Sequence, residues 1–309
     1  MRPLRSDQII GTWATLLLPI NTDETIDFVR LGDEIDYLLA SGLDGLYSNG
    51  TAGEFQTQDE GEFDLIQVLL AEKCEKAGMP FQIGASHMSA QISLSRVRRA
   101  AELKPGAIQV ILPDWVQLSV EEGIAFLQRV SEAAAPVGLI LYNPPHAKRH
   151  LEPEDYGKIS AAVPGVLGIK VAGEQGWYAE IRKQAPNLSM FVGGHHLASG
   201  YKAGGNVSYS NLACLQPRGA KRWYEQMKTD LPGALAFETR ILSFFEEFIL
   251  PLYYESHYAP PALDKFLAAI GGWANVGTRI RWPYRWLNES DAKALQPIVR
   301  HRLPELFNS

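Results

Sequence analysis

Eight short apolar or β-branched runs, each followed by a longer stretch with helical spacing, succeed one another from residue 9 to about residue 228. Such alternation builds repeated βα units around a parallel sheet, because parallel neighbours need a long crossover that a tight hairpin cannot supply. The expected strands are residues 9–18, 45–48, 81–85, 107–112, 137–142, 166–171, 189–192 and 206–210. Eight units close into a barrel, whereas an open doubly wound sheet would carry a nucleotide-type glycine loop after its first strand. Here Pro19-Ile20-Asn21 stands in that place. The expected fold class is therefore α/β, a (β/α)8 TIM barrel with a C-terminal helical extension.

Past about residue 229 the pattern is helical only, with Ile241, Phe244, Phe245, Phe248 and Ile249 on one face and a last helix near residues 291–301. The expected organisation is a catalytic barrel over residues 1–228 and an extension over residues 229–309, packed outside the barrel. Thr57 followed by Glu60, and Ser119 followed by Glu122, read as capping boxes at two helix starts. A formal net charge of −6 gives no attraction to phosphate backbones or anionic lipid, and no run reaches the roughly 20 apolar residues that span a bilayer. Neither nucleic acid nor a membrane is an expected partner. With two cysteines and no leader-like segment, a disulfide framework is not supported and the expected compartment is the cytoplasm. No GxGxxG or Walker-type loop is present, so no nucleotide cofactor is expected.

Barrel enzymes carry their working groups at the C-terminal ends of the strands. Those ends present residues 49–54, Ser86-His87, Asp114-Trp115, Tyr142-Asn143, Lys170, residues 193–196 and Tyr209-Ser210-Asn211. Lys170 is the outlier, a cation inside the apolar run 166–172. Removal from water lowers a lysine pKa towards neutrality and frees an amine that attacks a ketone. A lysine paired with a carboxylate at the barrel mouth is the structural alternative. Tyr142 lies 28 residues earlier, close to the roughly 30 of one βαβ step, so both side chains can enter one mouth. A phenol there can move the proton as a carbinolamine forms and collapses. Gly50-Thr51-Ala52-Gly53-Glu54 is a strand-to-helix turn whose amides can receive a carboxylate. His87, His146, His195 and His196 come without a metal-binding motif, and no metal site is expected.

In the order and spacing of Gly50-Thr51-Ala52-Gly53-Glu54, Leu141-Tyr142-Asn143-Pro144-Pro145 and Gly168-Ile169-Lys170, the chain resembles the dihydrodipicolinate synthase and N-acetylneuraminate lyase superfamily. The resemblance runs from the first strand to Gly277-Thr278-Arg279-Ile280-Arg281-Trp282-Pro283. It implies a Schiff-base Lys170, a proton-handling Tyr142, a 2-keto-acid carboxylate held at Thr51 and Ala52, and a homotetramer. The expected catalytic set is Lys170, Tyr142 and Thr51; substrate contacts are expected from Gly50, Ala52, Trp115, Gly194, His195, His196 and Ser208. The departures are informative. Ala52 replaces a second hydroxyl, Trp115 stands where the synthase branch has a tyrosine shared between subunits, and Ala147 stands where that branch has an acceptor-binding arginine. They point away from dihydrodipicolinate synthesis and towards another lyase reaction of pyruvate or a longer 2-keto acid: aldol cleavage or condensation, or dehydration of a 2-keto-3-deoxy sugar acid. A non-catalytic keto-acid-binding barrel is the alternative.

Overall fold

The computed structural model describes residues 2–171 and 175–308. Its order is β1 (Gly11–Thr15), α1 (Phe28–Leu39), β2 (Gly45–Ser48), α2 (Glu60–Ala77), β3 (Phe81–Gly84), α3 (Ala90–Glu102), β4 (Ala107–Ile111) and α4 (Val120–Ala134). There follow β5 (Gly138–Asn143), α5 (Pro153–Ala162), β6 (Val166–Val171), α6 (Gln175–Gln184), β7 (Ser189–Gly193), α7 (Leu197–Lys202), β8 (Val207–Tyr209), α8 (Asn211–Leu215) and α9 (Pro217–Thr229). The extension comprises α10 (Leu231–Phe248), α11 (Leu250–Tyr254), α12 (Pro260–Gly271), α13 (Glu289–Arg302) and α14 (Pro304–Phe307). Every strand pairs in parallel with its sequence neighbour, and β8 closes on β1, so the sheet is a closed eight-stranded barrel.

Period-two alternation sorts the strand side chains into two cores. Trp13, Tyr47, Ala107, Ile140, Phe191, Val207 and Tyr209 fill the barrel interior. The residues between them, such as Leu46, Ile108, Leu141, Ile169 and Val192, join the larger core between the barrel wall and its helices. The first strand stops at Thr15, three residues short of the expected end, because the Leu17 amide donates to the Glu34 carboxylate at 2.9 Å. The capping box expected at Thr57 lies two residues later. Asp59 caps α2 and exchanges hydrogen bonds with Glu62, while Thr57 closes a 3₁₀ turn onto the Glu54 carbonyl. The Ser119–Glu122 box forms as expected.

The extension follows the barrel, and part of it covers the barrel's C-terminal mouth. Phe245, Ile249, Tyr253, Leu263, Asp264 and Leu267, from α10 to α12 and the junction between α10 and α11, cover the C-terminal mouth and line its cavity. A buried ion pair fixes this cover: Lys265 Nζ lies 2.5 Å from Glu54 Oε1 and donates to the Arg279 carbonyl at 2.6 Å. Arg281 grips Glu62 through both terminal nitrogens and the Thr57 carbonyl at 3.0 Å. Among the described residues no helix is long and apolar enough to cross a membrane.

Candidate active site

At the C-terminal end of the barrel lies a cavity of about 280 Å³ whose lining includes Thr51, Ala52, Tyr142, Lys170, Gly194 and His195. Tyr142 and Lys170 are register partners on adjacent strands, β5 and β6, so their side chains leave the sheet on the same side. Lys170 Nζ stands 4.3 Å from the centre of the Tyr142 ring and 5.4 Å from that of Tyr209. Among the described residues no carboxylate oxygen lies within 4.0 Å of Lys170 Nζ, and the nearest charged neighbour in the cavity lining is Asp264.

The turn after β2 is shaped by close packing. A Cβ on Gly50 would meet the Tyr47 ring at 2.8 Å, and one on Gly53 would meet the Asn49 amide at 3.0 Å. Glu54 adopts a left-handed conformation, φ 53°, and its carboxylate points away from the cavity into the Lys265 pair. The Gly53 and Glu54 amides bond within the turn, to the Gly50 and Thr51 carbonyls. Among the described residues the Thr51 and Ala52 amides have no acceptor, which leaves two donors beside the lysine. Gly50 itself lies behind the lining, against Tyr47.

Gly194 is held where only glycine fits, since a Cβ would meet Asn211 Oδ1 and Ser210 Oγ at 2.7 Å. Asn211 then organises His195: its Oδ1 accepts from the His195 amide at 3.1 Å, and its Nδ2 faces His195 Nδ1 at 2.8 Å. With the amide oxygen already accepting, Nδ2 donates to Nδ1, and the neutral ring carries its proton on Nε2. Burial, reinforced by the neighbouring His196, pushes the His195 pKa down to about 4, so the ring is neutral near pH 7. The ring stacks on Phe245 at 5.0 Å. His196 lies behind it, 4.3 Å between ring centres, with its Nδ1 buried and unpartnered among the described residues.

Ser208 is not brought to the site. It pairs in register with Val192 and Thr12, and it sits between two interior-facing residues, Val207 and Tyr209. Its hydroxyl therefore points out of the barrel into the helix layer, a one-residue slip in the expected face of β8. Tyr209 takes the cavity position instead, with its hydroxyl donating to Gln82. Trp115 is 76% exposed and lines a second, outer cavity of about 480 Å³ together with Phe55, Met88, Ala147, Lys148 and Arg149. Lys148 stands 4.9 Å from the Trp115 ring centre and bonds its carbonyl, while Arg149 Nε donates to the Leu118 carbonyl at 2.7 Å. Thr51, His146, Tyr253 and Pro260 line both cavities, which are thus adjacent. Among the described residues no group of three or more His, Cys, Asp or Glu is placed to hold a metal ion.

A sequence model described as the Dihydrodipicolinate synthetase family matches residues 8–302. The chain belongs to this family. Within the dihydrodipicolinate synthetase family, it is 27% identical to a 4-hydroxy-tetrahydrodipicolinate synthase of Neisseria gonorrhoeae, over 94% of this chain and 97% of that enzyme. It is 23% identical to a trans-O-hydroxybenzylidenepyruvate hydratase-aldolase of Sphingobium xenophagum, over 55% of this chain and 54% of that enzyme, so the chain spans about half of that relative. The crystal structure of YagE from E. coli K12, a dihydrodipicolinic acid synthase family protein in complex with pyruvate, superposes with a TM-score of 0.83. That likeness covers 95% of this chain and 98% of YagE at 18% identity, and it shows the fold.

Two cavity residues of this family member lie outside the expected site set. Tyr209 stands at an expected strand end, where Ser208 beside it is the expected substrate contact. Asp264 comes from α12 and lines the Lys170 cavity. With Lys265 it makes the only charged pair in a helix that is otherwise apolar, the same kind of anomaly that singles out Lys170 in β6. Burial pushes the Asp264 carboxyl up to about 7 against the pull of the Lys170 ammonium.

Proposed function

We propose that the chain is a lyase of the class I aldolase type, in which Lys170 forms a protonated Schiff base with pyruvate or a longer 2-keto acid. The observation that carries this reading is the register pairing of Lys170 with Tyr142 in a cavity also lined by Thr51 and Ala52, whose amides have no acceptor among the described residues. Those amides and the Thr51 hydroxyl receive the keto-acid carboxylate, which sets carbon 2 against the lysine nitrogen. Attack gives a carbinolamine, and Tyr142 carries the proton to its departing hydroxyl as water leaves. The iminium then withdraws electrons from carbon 3, the common requirement of aldol cleavage, condensation and dehydration. The neutral His195, with Nε2–H, offers a donor to a hydroxyl of the substrate tail.

The outer cavity supports a tail longer than pyruvate's methyl group. Its lining, which includes Phe55, Met88, Trp115, Tyr253 and Tyr284, is mostly apolar, and its cations Lys148 and Arg149 bond the Trp115 and Leu118 carbonyls. An aromatic 2-keto acid suits such a surface better than a polyhydroxylated one. The Sphingobium relative bears the name of such a substrate. Efficient dihydrodipicolinate synthesis is not part of this reading.

Reduction with borohydride in the presence of pyruvate, or of a longer 2-keto acid, tests it. One reduced adduct per chain is expected on the peptide containing Lys170, and none in Lys170→Ala. An adduct on another lysine, or none with any 2-keto acid, would sink the proposal.

A further inference from the structure

We propose that the Asp264 carboxylate is the base that removes, and in its acid form returns, the proton on carbon 3 of the Schiff-base-bound substrate. This rests on the Schiff-base reading above and assigns a second proton-handling group to it. The two charged residues of α12 are sequence neighbours and so project about 100° apart, and the fold gives them different surroundings. Lys265 is fully buried and holds Glu54 and the Arg279 carbonyl, which accounts for its presence. Asp264 is outside that network. It lines the Lys170 cavity, and among the described residues no side chain donates a hydrogen bond to it. Its half-buried carboxyl shares the cavity lining with Lys170, whose charge reaches it.

Tyr142 cannot serve every proton of the reaction. It stands on the strand next to Lys170, placed for the nitrogen and the carbinolamine oxygen. Carbon 3 lies one bond beyond carbon 2, and Asp264 reaches the cavity from the helical cover rather than from the barrel wall. In the proposed step a carbon 3–hydrogen bond breaks and the proton passes to an Asp264 oxygen. The bonding pair becomes the carbon 2–carbon 3 double bond, and the π pair of the iminium returns to nitrogen. A cation and a carboxylate thereby become a neutral enamine and a neutral carboxylic acid, and the reverse transfer protonates the enamine left by aldol cleavage.

The charged and titratable groups facing Asp264 are Lys170 from β6, Tyr47 from β2 and Cys214 from α8. Burial holds the Tyr47 and Cys214 groups well above their usual ranges, so both stay protonated near neutrality. His195 is held down to about 4 and stays neutral. Asp264, pushed up to about 7, changes charge in this window. His146 also lines the cavity, so His146→Gln is the control.

The test follows hydrogen–deuterium exchange at carbon 3 of pyruvate, and of 2-oxobutanoate, in deuterated water by proton NMR, alongside borohydride trapping. The wild type should exchange at a rate rising through about pH 7. Asp264→Asn should still give the Lys170 adduct but exchange ~10²–10⁴-fold more slowly, without the pH limb. Asp264→Glu should recover part of the exchange, and His146→Gln should keep the limb whatever its rate. Wild-type exchange in Asp264→Asn overturns the proposal. Loss of the adduct in a folded Asp264→Asn also overturns it, because the carboxylate would then act on the lysine rather than on carbon 3. Should circular dichroism show that variant to be unfolded, Asp264→Ser is read by the same two outcomes. A wild type that forms no adduct with either acid fails the Schiff-base reading itself, a result separate from the others.

Discussion

A lysine in an apolar strand is a chemical anomaly, and the cavity gives it a place: Lys170 Nζ faces the Tyr142 and Tyr209 rings there. Tyr142→Phe keeps the ring and removes the hydroxyl, so adduct formation with pyruvate should slow by ~10²–10⁴-fold. The adduct should stay on Lys170, as peptide mass spectrometry would report. His195 makes a prediction about pH. Its folded-state pKa of about 4 lies below the ordinary 6.5, so the unfolded chain binds this proton first as the pH falls. The folded state should therefore lose stability between about pH 6.5 and about pH 4, with none of this loss above 6.5. In urea unfolding, His195→Gln should show a smaller drop from neutral to acid pH than the wild type; equal drops would show that the ring is not held neutral. At the outer cavity, Trp115→Ala should raise KM for aromatic 2-keto acids while leaving that for pyruvate close to the wild-type value. A uniform effect on both would place Trp115 outside the substrate path.

Between elements, the most consequential joint is that of α12 with the turn after β2. Glu54 ends the glycine-rich turn in a left-handed conformation and buries its carboxylate against Lys265. The turn that presents the Thr51 and Ala52 amides is thus tied to the helix that presents Asp264. Lys265→Met removes one charge from a pair whose members are 0% and 1% exposed and should cost about 3–5 kcal/mol in chemical unfolding. Adding Glu54→Gln to the variant should restore stability. If the single variant unfolds like the wild type, the pair does not hold the cover in place. The sequence marked the motif but not this contact, since Glu54 and Lys265 are 211 residues apart and nothing local joins them.

For the whole molecule, one hydrophobic core runs from the first strand to Leu306 and includes Phe244, Phe245, Phe266 and Leu267 of the extension. The helices after α9 are part of the same packed body as the barrel. The surface near the outer cavity is less settled: Trp115 and Val116 are 76% and 72% exposed on the loop after β4. Neighbouring large apolar residues exposed in this way suit a contact between subunits. We expect a homotetramer, in keeping with the family resemblance. Light scattering at micromolar concentration should report four chains; a monomer mass would count against it, and Trp115→Glu with Val116→Lys should lower the mass if this loop is the contact.

The sequence alone determined the barrel, because its signals are local and repeat eight times: apolar runs of strand length, capping residues such as Ser119, and helical crossovers between them. It also determined that Lys170 and Tyr142 meet, since one βα step brings neighbouring strands into register. The tertiary structure decided what depends on a half-turn of a strand or on a long-range contact. Ser208 and Tyr209 are adjacent in a three-residue strand, and only the closure of β8 onto β1 and β7 sets which of them faces the cavity. Asp264 is a charge in an otherwise apolar helix, but only the folding of α12 over the mouth shows what it faces. Its place there, within reach of the Lys170 charge, exists only once residues far apart in the chain have packed together.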